Sequence, residues 1–343
     1  MNMSDFKINS IATKRGQHGP VIAGVSTVNS TGCMKIPSGP TEMRGGRGRG
    51  FFGGGETPTQ VNTIDKIEIA TTGNATDFGD LSFALDQSGG ASSATRGLVA
   101  GGRSPESSKI NYITLSSDGG ANDFGDLTEP WNGGKGVSDN ITALWWGGEW
   151  SGAYQGLMKI EFNIIATTGD ASVFGDISDG RVYSQTASFE SPTRGFIGAG
   201  AGRNSPYLQN TVDFVTIATK GDSKLFGDLS SARAQSGGCS SSTRGCFLGG
   251  HTDPAYNNVI DFVTMSSLGN FADFGDMTTD NRYSAGTSNS IRGVIAIGET
   301  PTTVNTIHFI TIATTGNSQD FGDLTVARRF AAPMSDSHGG LGE

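Results

Sequence analysis

Phe-Gly-Asp recurs six times along this chain of 343 residues, starting at Phe78, Phe124, Phe174, Phe226, Phe274 and Phe321, with spacings of 46, 50, 52, 48 and 47 residues. The register extends beyond the tripeptide. A glycine stands five residues before each phenylalanine (Gly73, Gly119, Gly169, Gly221, Gly269, Gly316), and an apolar residue three after it (Leu81, Leu127, Ile177, Leu229, Met277, Leu324). A period of about 50 residues belongs to architectures whose units bury their apolar faces only against one another, so the chain must stack or close six such units.

Each unit contains strand-like runs rich in β-branched and aromatic residues, such as NTIDKIEIA, TVDFVTIA and NTIHFITIA. Both faces of these runs are apolar: Ile110 and Tyr112 oppose Ile113 and Leu115, and Ile260 and Phe262 oppose Val263 and Met265. A strand apolar on both faces is packed on both sides, as in a sheet lying between two others. A second strand precedes each run. It opens on Arg49, Arg96, Arg194, Arg244 or Arg292, with Thr142 in the third unit, and typically ends Gly-Gly. These repeated glycines account for much of a content of 53, about 15% against a usual value near 7%. Helical periodicity appears nowhere over a useful length.

The unit reads as a Ser/Gly-rich strand, Arg-Gly, an apolar strand ending Gly-Gly, a long strand, a glycine turn, then a Phe-Gly-Asp-Leu turn. This pattern resembles the kelch repeat, in which a Gly-Gly doublet ends the second strand; kelch repeats carry tryptophan where all six units here carry phenylalanine. The resemblance spans residues 46–343 and implies an all-β, six-bladed propeller with four strands per blade. The first unit starts at its second strand, and Phe330 to Ser337 stand in the register of a first strand. The C-terminus is therefore expected to close the ring.

Residues 1–45 lie outside the repeat and hold too few apolar groups for a core of their own. Their wording, Gly19-Pro-Val-Ile-Ala-Gly-Val-Ser-Thr-Val, then Met34-Lys-Ile-Pro-Ser-Gly-Pro-Thr and Arg-Gly-Gly-Arg-Gly-Arg-Gly, is similar to the starts of virion structural proteins of marine tailed phages, cyanophages above all. The Ile-Ala-Thr-Thr-Gly-Asn-Ala-Thr-Asp-Phe-Gly-Asp-Leu wording of the repeats looks like the same group. The resemblance implies a tail, baseplate or fibre component present in several copies per particle. Its N-terminal segment would dock on other virion proteins through Val21, Ile22, Val25, Arg44 and Arg47, and its propeller would be displayed. A receptor- or glycan-binding propeller is the alternative, and a glycan-cleaving tail enzyme stands behind both.

A formal net charge of −9 disfavours nucleic acid and anionic membrane as partners. The first residues lack the apolar core of a signal peptide, and no stretch is long and apolar enough to span a bilayer, so synthesis in the host cytoplasm is expected. Gly48, Gly50 and Gly53 match G-x-G-x-x-G but run into a predicted strand, where the nucleotide fingerprint needs a helix. The six aspartates Asp80, Asp126, Asp176, Asp228, Asp276 and Asp323 form a ring by symmetry. Repetition in every unit reads as structure, a turn or a repeated Arg-Asp pair. Four scattered histidines show no metal-ligand spacing, so no metal, cofactor or catalytic residue is assigned. Cys239 and Cys246 read as buried thiols that could face each other across a hairpin.

Departures from the repeat are more informative, because a functional site belongs to one place on a symmetric scaffold. All four tryptophans cluster in Trp131, Trp145, Trp146 and Trp150, with Tyr154 nearby. They are the candidates for glycan or partner binding, Trp131 and Trp150 above all; the neighbours Trp145 and Trp146 point to opposite faces, so at least one belongs to the core. A chain ending at Asp323 loses the closing strand and is expected to aggregate. A soluble product that melts like the full chain, judged by gel filtration and thermal denaturation, would refute the closure.

Overall fold

The computed structural model describes residues 48–103, 106–150, 155, 156, 158–178, 186–201 and 207–341. Val21, Ile22, Val25, Arg44, Arg47 and Tyr154 lie outside the described residues. Within them the chain forms six four-stranded antiparallel sheets, the blades of a six-bladed propeller.

From the axis outward, blade 2 consists of Gly89–Ser92, Arg96–Ala100, Ser107–Thr114 and Asn122–Trp131. Blade 3 consists of Lys135–Ser138, Thr142–Trp146, Lys159–Ile164 and Ser172–Asp176. Blade 4 is built from Ala187–Glu190, Arg194–Gly198, Thr211–Thr216 and Lys224–Asp228. Gly237–Ser240, Arg244–Thr252, Ala255–Thr264 and Ala272–Asn281 make blade 5. Blade 6 is Ala285–Ser288, Arg292–Ala296, Thr306–Thr311 and Gln319–Asp323. Blade 1 joins the two ends of the ring: its inner strand Ala332–Ser335 pairs with Arg49–Gly53, Gly50 facing Ser335 and Gly53 facing Ala332. Thr63–Glu68 and Thr76–Asp80 complete it.

Phe-Gly-Asp is not a turn. It lies in the outer strand of every blade, where Ile64 faces Gly79 and Asp65 faces Asp77, leaving Phe78 as the extra residue of a bulge. The same shift recurs in the other five blades. A bulge kinks the strand and re-aims one side chain, and here it drives each phenylalanine into the layer between blades, where all six are 2–5% exposed. Phe124, for example, packs with Leu98 and Ile110 of its own blade against Ala143, Trp145 and Ile165 of the next. Full burial of such a ring contributes about 1.5–3 kcal/mol.

Two rings of contacts bind each blade to the following one, and a third set links five of the six blade pairs. In the first, the glycine turn before one outer strand donates its N–H to the phenylalanine carbonyl of the preceding blade: Gly119 to Phe78, Gly169 to Phe124, Gly221 to Phe174, Gly269 to Phe226, Gly316 to Phe274, and Gly73 to Phe321 across the closure, at 2.8–3.2 Å. The middle glycine of the tripeptide permits this approach, since a Cβ on Gly227 would stand 2.1 Å from the Gly269 carbonyl oxygen. In the second, a Ser or Thr hydroxyl just after the tripeptide bonds a polar residue buried in the third strand of the next blade: Ser82 with Asn111, Thr128 with Glu161, Ser178 with Asp213, Ser230 with Asp261, Thr278 with His308, and Thr325 with Asp65.

In the third set, four strand-opening arginines bond carbonyls where an Arg-Asp pair is expected; Arg49 alone meets an aspartate, Asp336, which is not one of the tripeptide. Arg96, Arg194, Arg244 and Arg292 donate to carbonyls of the next blade, those of Ile165, Met265, Ile312 and Ala70, at 2.8–2.9 Å. Each guanidinium also lies over an aromatic ring of its own blade, Tyr112, Phe214, Phe262 and Phe309 respectively. In blade 3, with Thr142 at this position, Lys220 of the following blade stands over Phe162 instead, 4.2 Å from the ring centre.

Five of the six tripeptide aspartates also give their backbone N–H to a side-chain Oδ1 on the neighbouring glycine turn, from Asn74, Asp170, Asp222, Asn270 or Asn317, at 3.0–3.1 Å. Asp80 faces Gly120 and lacks that acceptor. A Cβ on Gly120 meets only the Asp80 carbonyl oxygen, at 3.5 Å. Gly120→Asn should therefore supply the sixth bond and raise stability by about 1 kcal/mol, read as a higher midpoint in urea denaturation; a lower midpoint would contradict this account of the turn.

Candidate functional site

The axis is built to be narrow. At the second position of the inner strands stand Gly90, Gly136, Ser188, Gly238, Gly286 and Pro333, and a Cβ on Gly90 would lie 2.0 Å from the Pro333 carbonyl oxygen. The last position carries Ser92, Ser138, Glu190, Ser240, Ser288 and Ser335. These serines form a ladder around the axis: Ser138 Oγ donates to Ser92 O, Ser240 Oγ to Glu190 O, Ser288 Oγ to Ser240 O, Ser335 Oγ to Ser288 O, and Ser92 Oγ to Ser335 O, at 2.7–2.8 Å. What remains is a cavity of about 40 Å³, room for a few water molecules and far below the size of a small-molecule site.

Glu190 is the one break in the ladder, and the C-terminal tail fills it. His338, 6% exposed, places Nδ1 2.6 Å from Glu190 Oε1 and Nε2 2.7 Å from Ser92 O. The Glu190 carboxylate at Nδ1, which also lies 3.2 Å from the Gly340 N–H, and the Ser92 carbonyl at Nε2 favour the doubly protonated imidazolium. Desolvation by itself would lower the affinity of His338 for its proton; the Glu190 carboxylate, through charge and hydrogen bond, outweighs it and holds the group above the ordinary histidine value. The tail is fixed further by Arg49 Nε, 3.0 Å from Asp336 Oδ2, with the Gly48 and Arg49 N–H groups on Asp336 Oδ1. Arg49, grouped in the sequence with Arg44 and Arg47, is thus a buried closure residue. Gly339 and Gly340 lie so close to the Ser241 and Ser138 carbonyls that a Cβ would stand within 2.0–2.3 Å of them. The tail crosses one mouth of the ring.

The opposite mouth is framed by the connections between second and third strands and by the linkers between blades. An unbroken run of ion pairs crosses blades 5, 6, 1 and 2. Arg282 meets Glu299 at 2.5 Å, Glu299 also meets Arg329, Arg329 and Arg103 both reach Glu56 at 3.3 Å, and Arg103 meets Asp86 at 2.9 Å. Three guanidinium groups balance three carboxylates. Burial raises the Asp86 carboxyl above its usual range; at Glu299 burial is outweighed by hydrogen bonds from Tyr256, Arg282 and Arg329, and the group is lowered.

Inside this rim lies a small notch lined by Lys135, Thr186, Gln235, Ser236, Tyr283, Ser284 and Phe330. Lys135 opens the inner strand of blade 3, where the other blades have Gly89, Ala187, Gly237, Ala285 and Ala332. Its ammonium has no hydrogen bond or ion pair among the described residues, and desolvation pushes it down to about 8. The Tyr283 and Phe330 rings touch, with centroids 4.1 Å apart and both side chains half-buried.

Three of the four tryptophans offered as a binding surface are buried. Trp131 is 3% exposed and Trp145 and Trp146 are 1%. Trp145 faces blade 2 and gives its Nε1–H to Asn163 Oδ1 at 2.8 Å; Trp146 faces blade 4, packed with Ile197 and Val215. Trp131 leans on the bare backbone of Gly101 and Gly134, where a Cβ would come within 2.9 and 2.4 Å of the indole. Its faces are thus occupied by glycine backbone and leave none for a sugar. Trp150 pairs through its backbone with Gln155 in a short hairpin. Gly50 and Gly53 of the G-x-G-x-x-G match lie on a strand. The aspartates Asp80, Asp126, Asp176, Asp228, Asp276 and Asp323 occupy six separate outer strands, so they do not converge. Cys239 faces Cys246 across the inner strands of blade 5 as free, buried thiols. Lys135 escaped the sequence reading; aligning the six inner strands against one another would have exposed it.

Neither a protein-family model nor a curated protein matches the chain.

The His338–Glu190 pair sets a pH dependence. A histidine raised in the folded state contributes stability that is complete below its unfolded value of about 6.5 and is lost as pH rises through the folded one. His338→Gln should cost about 3–5 kcal/mol near pH 6, the usual penalty for breaking a buried pair. The gap to wild type should shrink toward pH 9. Thermal melts across that range test this, and a gap that does not change with pH would refute the charged pair.

Proposed function

We propose that the protein is a structural component of a tailed-phage virion, a tail, baseplate or fibre protein that docks through residues 1–45 and presents its propeller for assembly with other proteins. The wording of its N-terminal segment and repeats supports the virion reading. The observation that carries the assembly reading lies on the perimeter. The residue before Phe-Gly-Asp is Asp77, Asp123, Asp273 and Asp320 in blades 1, 2, 5 and 6, but Val173 and Leu225 in blades 3 and 4. These two are 52% and 57% exposed, and Ile164 and Ile141 of blade 3 are 43% and 61% exposed.

Charges on an outer strand keep foreign chains from pairing with it. Two neighbouring blades that replace the charge with exposed apolar groups offer a protein-docking edge. The display of a propeller as a receptor- or glycan-binding head is the second reading, favoured by the notch around Lys135.

Restoring the charge with Val173→Asp and Leu225→Asp should leave the melting temperature of the propeller unchanged and reduce its copy number in purified particles by about tenfold, as loss of a docking contact of 1–2 kcal/mol requires. Deleting residues 1–45 should abolish incorporation. Quantitative mass spectrometry of particles measures both, and wild-type copy number in either variant would count against the corresponding contact.

A further inference from the structure

Blade 5 breaks the six-fold pattern inside the sheet as well. The third residue of each inner strand faces the third residue of the second strand, and in the other five blades those pairs are Met334 with Phe51, Ala91 with Leu98, Val137 with Leu144, Phe189 with Phe196 and Thr287 with Val294. In blade 5 the pair is Cys239 with Cys246. The chain has three cysteines in all, so two of the three stand directly opposite each other. A thiol fills less space than the leucine, valine or phenylalanine of the other second strands, and packing alone gives no reason for both members of one pair to be cysteine.

Opposed residues of an antiparallel pair put their side chains on one face of the sheet with Cα atoms about 4.5–5.5 Å apart, inside the span of about 4.4–6.8 Å that a disulfide bridges. The two thiols already share a hydrogen bond. Both are sealed from solvent. Cys239 is 3% exposed and Cys246 0%, and Cys239 Sγ lies against the bare backbone of Gly293 in blade 6, where a Cβ would stand 2.2 Å from it. Gly293 receives Cys239 as Gly245 receives Phe189 and Gly97 receives Met334 of the blade before. The hydrogen bond with Cys246 and burial together hold the Cys239 thiol well above its usual range. A thiol kept protonated and covered is inert toward disulfides and alkylating reagents, so the packed ring preserves whichever state the pair had when blade 6 closed over it.

We propose that Cys239 and Cys246 are a redox couple, a dithiol when the chain folds under reducing conditions and a cross-strand disulfide when it folds under oxidising ones, its state fixed as blade 6 packs on blade 5. The oxidant is a low-molecular-weight disulfide such as oxidised glutathione. One cysteine thiolate attacks it, forming a mixed disulfide and releasing one small thiol; the second cysteine then displaces the other. Two protein S–H bonds and the S–S bond of the oxidant break, one protein S–S bond and two S–H bonds on the leaving thiols form, and two electrons pass to the oxidant. The new bond closes the hairpin 239–246 and stabilises the blade by restricting the unfolded chain. The proposal is independent of the virion reading and of the docking edge on blades 3 and 4.

The full chain carrying Cys33→Ser, so that this pair alone reports, tests it when made in bacteria with a reducing cytoplasm and in bacteria with an oxidising one. Each product is treated with iodoacetamide, folded or unfolded in urea, and weighed by mass spectrometry. Chain from reducing cells should take up two alkyl groups when unfolded and none while folded. Chain from oxidising cells should take up none in either state, weigh two hydrogens less, and melt about 5 °C higher. Cys239→Ala combined with Cys246→Leu installs the facing pair of blade 2 and should melt at one temperature from both sources. Refolding from urea with oxidised or reduced glutathione repeats the comparison outside the cell. Two free thiols in the chain made under oxidising conditions, a glutathione adduct or a disulfide-linked dimer in place of the internal bond, a disulfide form that melts no higher than the dithiol, or ready alkylation of the folded dithiol would each overturn the proposal.

Discussion

Everything in this ring depends on how closely one blade's glycine turn can approach the outer strand of the blade before it. The N–H of Gly119 reaches the carbonyl of Phe78, and its counterparts repeat that bond around the circle, including from Gly73 to Phe321 across the closure. The bond exists only because the facing residue of the tripeptide has no side chain; at Gly227 a single Cβ would stand 2.1 Å from the neighbouring carbonyl oxygen. The bulge that accommodates the tripeptide also sends its phenylalanine inward. One local irregularity thus supplies both the polar seam at the perimeter and the apolar layer beneath it.

Closing six such units on a narrow axis decides where binding can happen. Glycines bring the inner strands into contact, the serine ladder satisfies their polar groups, and the tail around His338 crosses one mouth. The interior that remains is too small for a ligand of any size. The six-fold pattern is broken on the outer strands and at the open mouth. Val173 and Leu225 interrupt a run of aspartates, and Lys135 interrupts a run of glycine and alanine.

Much of the fold was legible in the sequence, and for a physical reason. A residue required by an inter-blade contact must recur once per blade, so the glycine positions, the phenylalanines and the strand-opening arginines declared themselves by repetition. The Phe-Gly-Asp motif was still misread as a turn, because a bulged strand and a turn place glycine beside aspartate alike. Trp131, Trp145 and Trp146 turned out buried for a related reason. An indole is as useful for filling the space over Gly101 and Gly134 as for stacking on a sugar, and composition does not distinguish the two.

By itself, the sequence determined the number of blades, their order, and the use of the C-terminal strand to close blade 1. Each is a local or periodic property, carried by spacing along the chain. The tertiary structure alone decided that Arg49, Asp336, Glu190 and His338 meet, that the rim from Arg282 to Asp86 is charge-matched, and that Lys135 and Thr186 have no partner among the described residues. Those groups come from segments up to 287 residues apart. Their neighbours are set by ring closure, and whether a polar group is satisfied depends on neighbours that no spacing along one chain records.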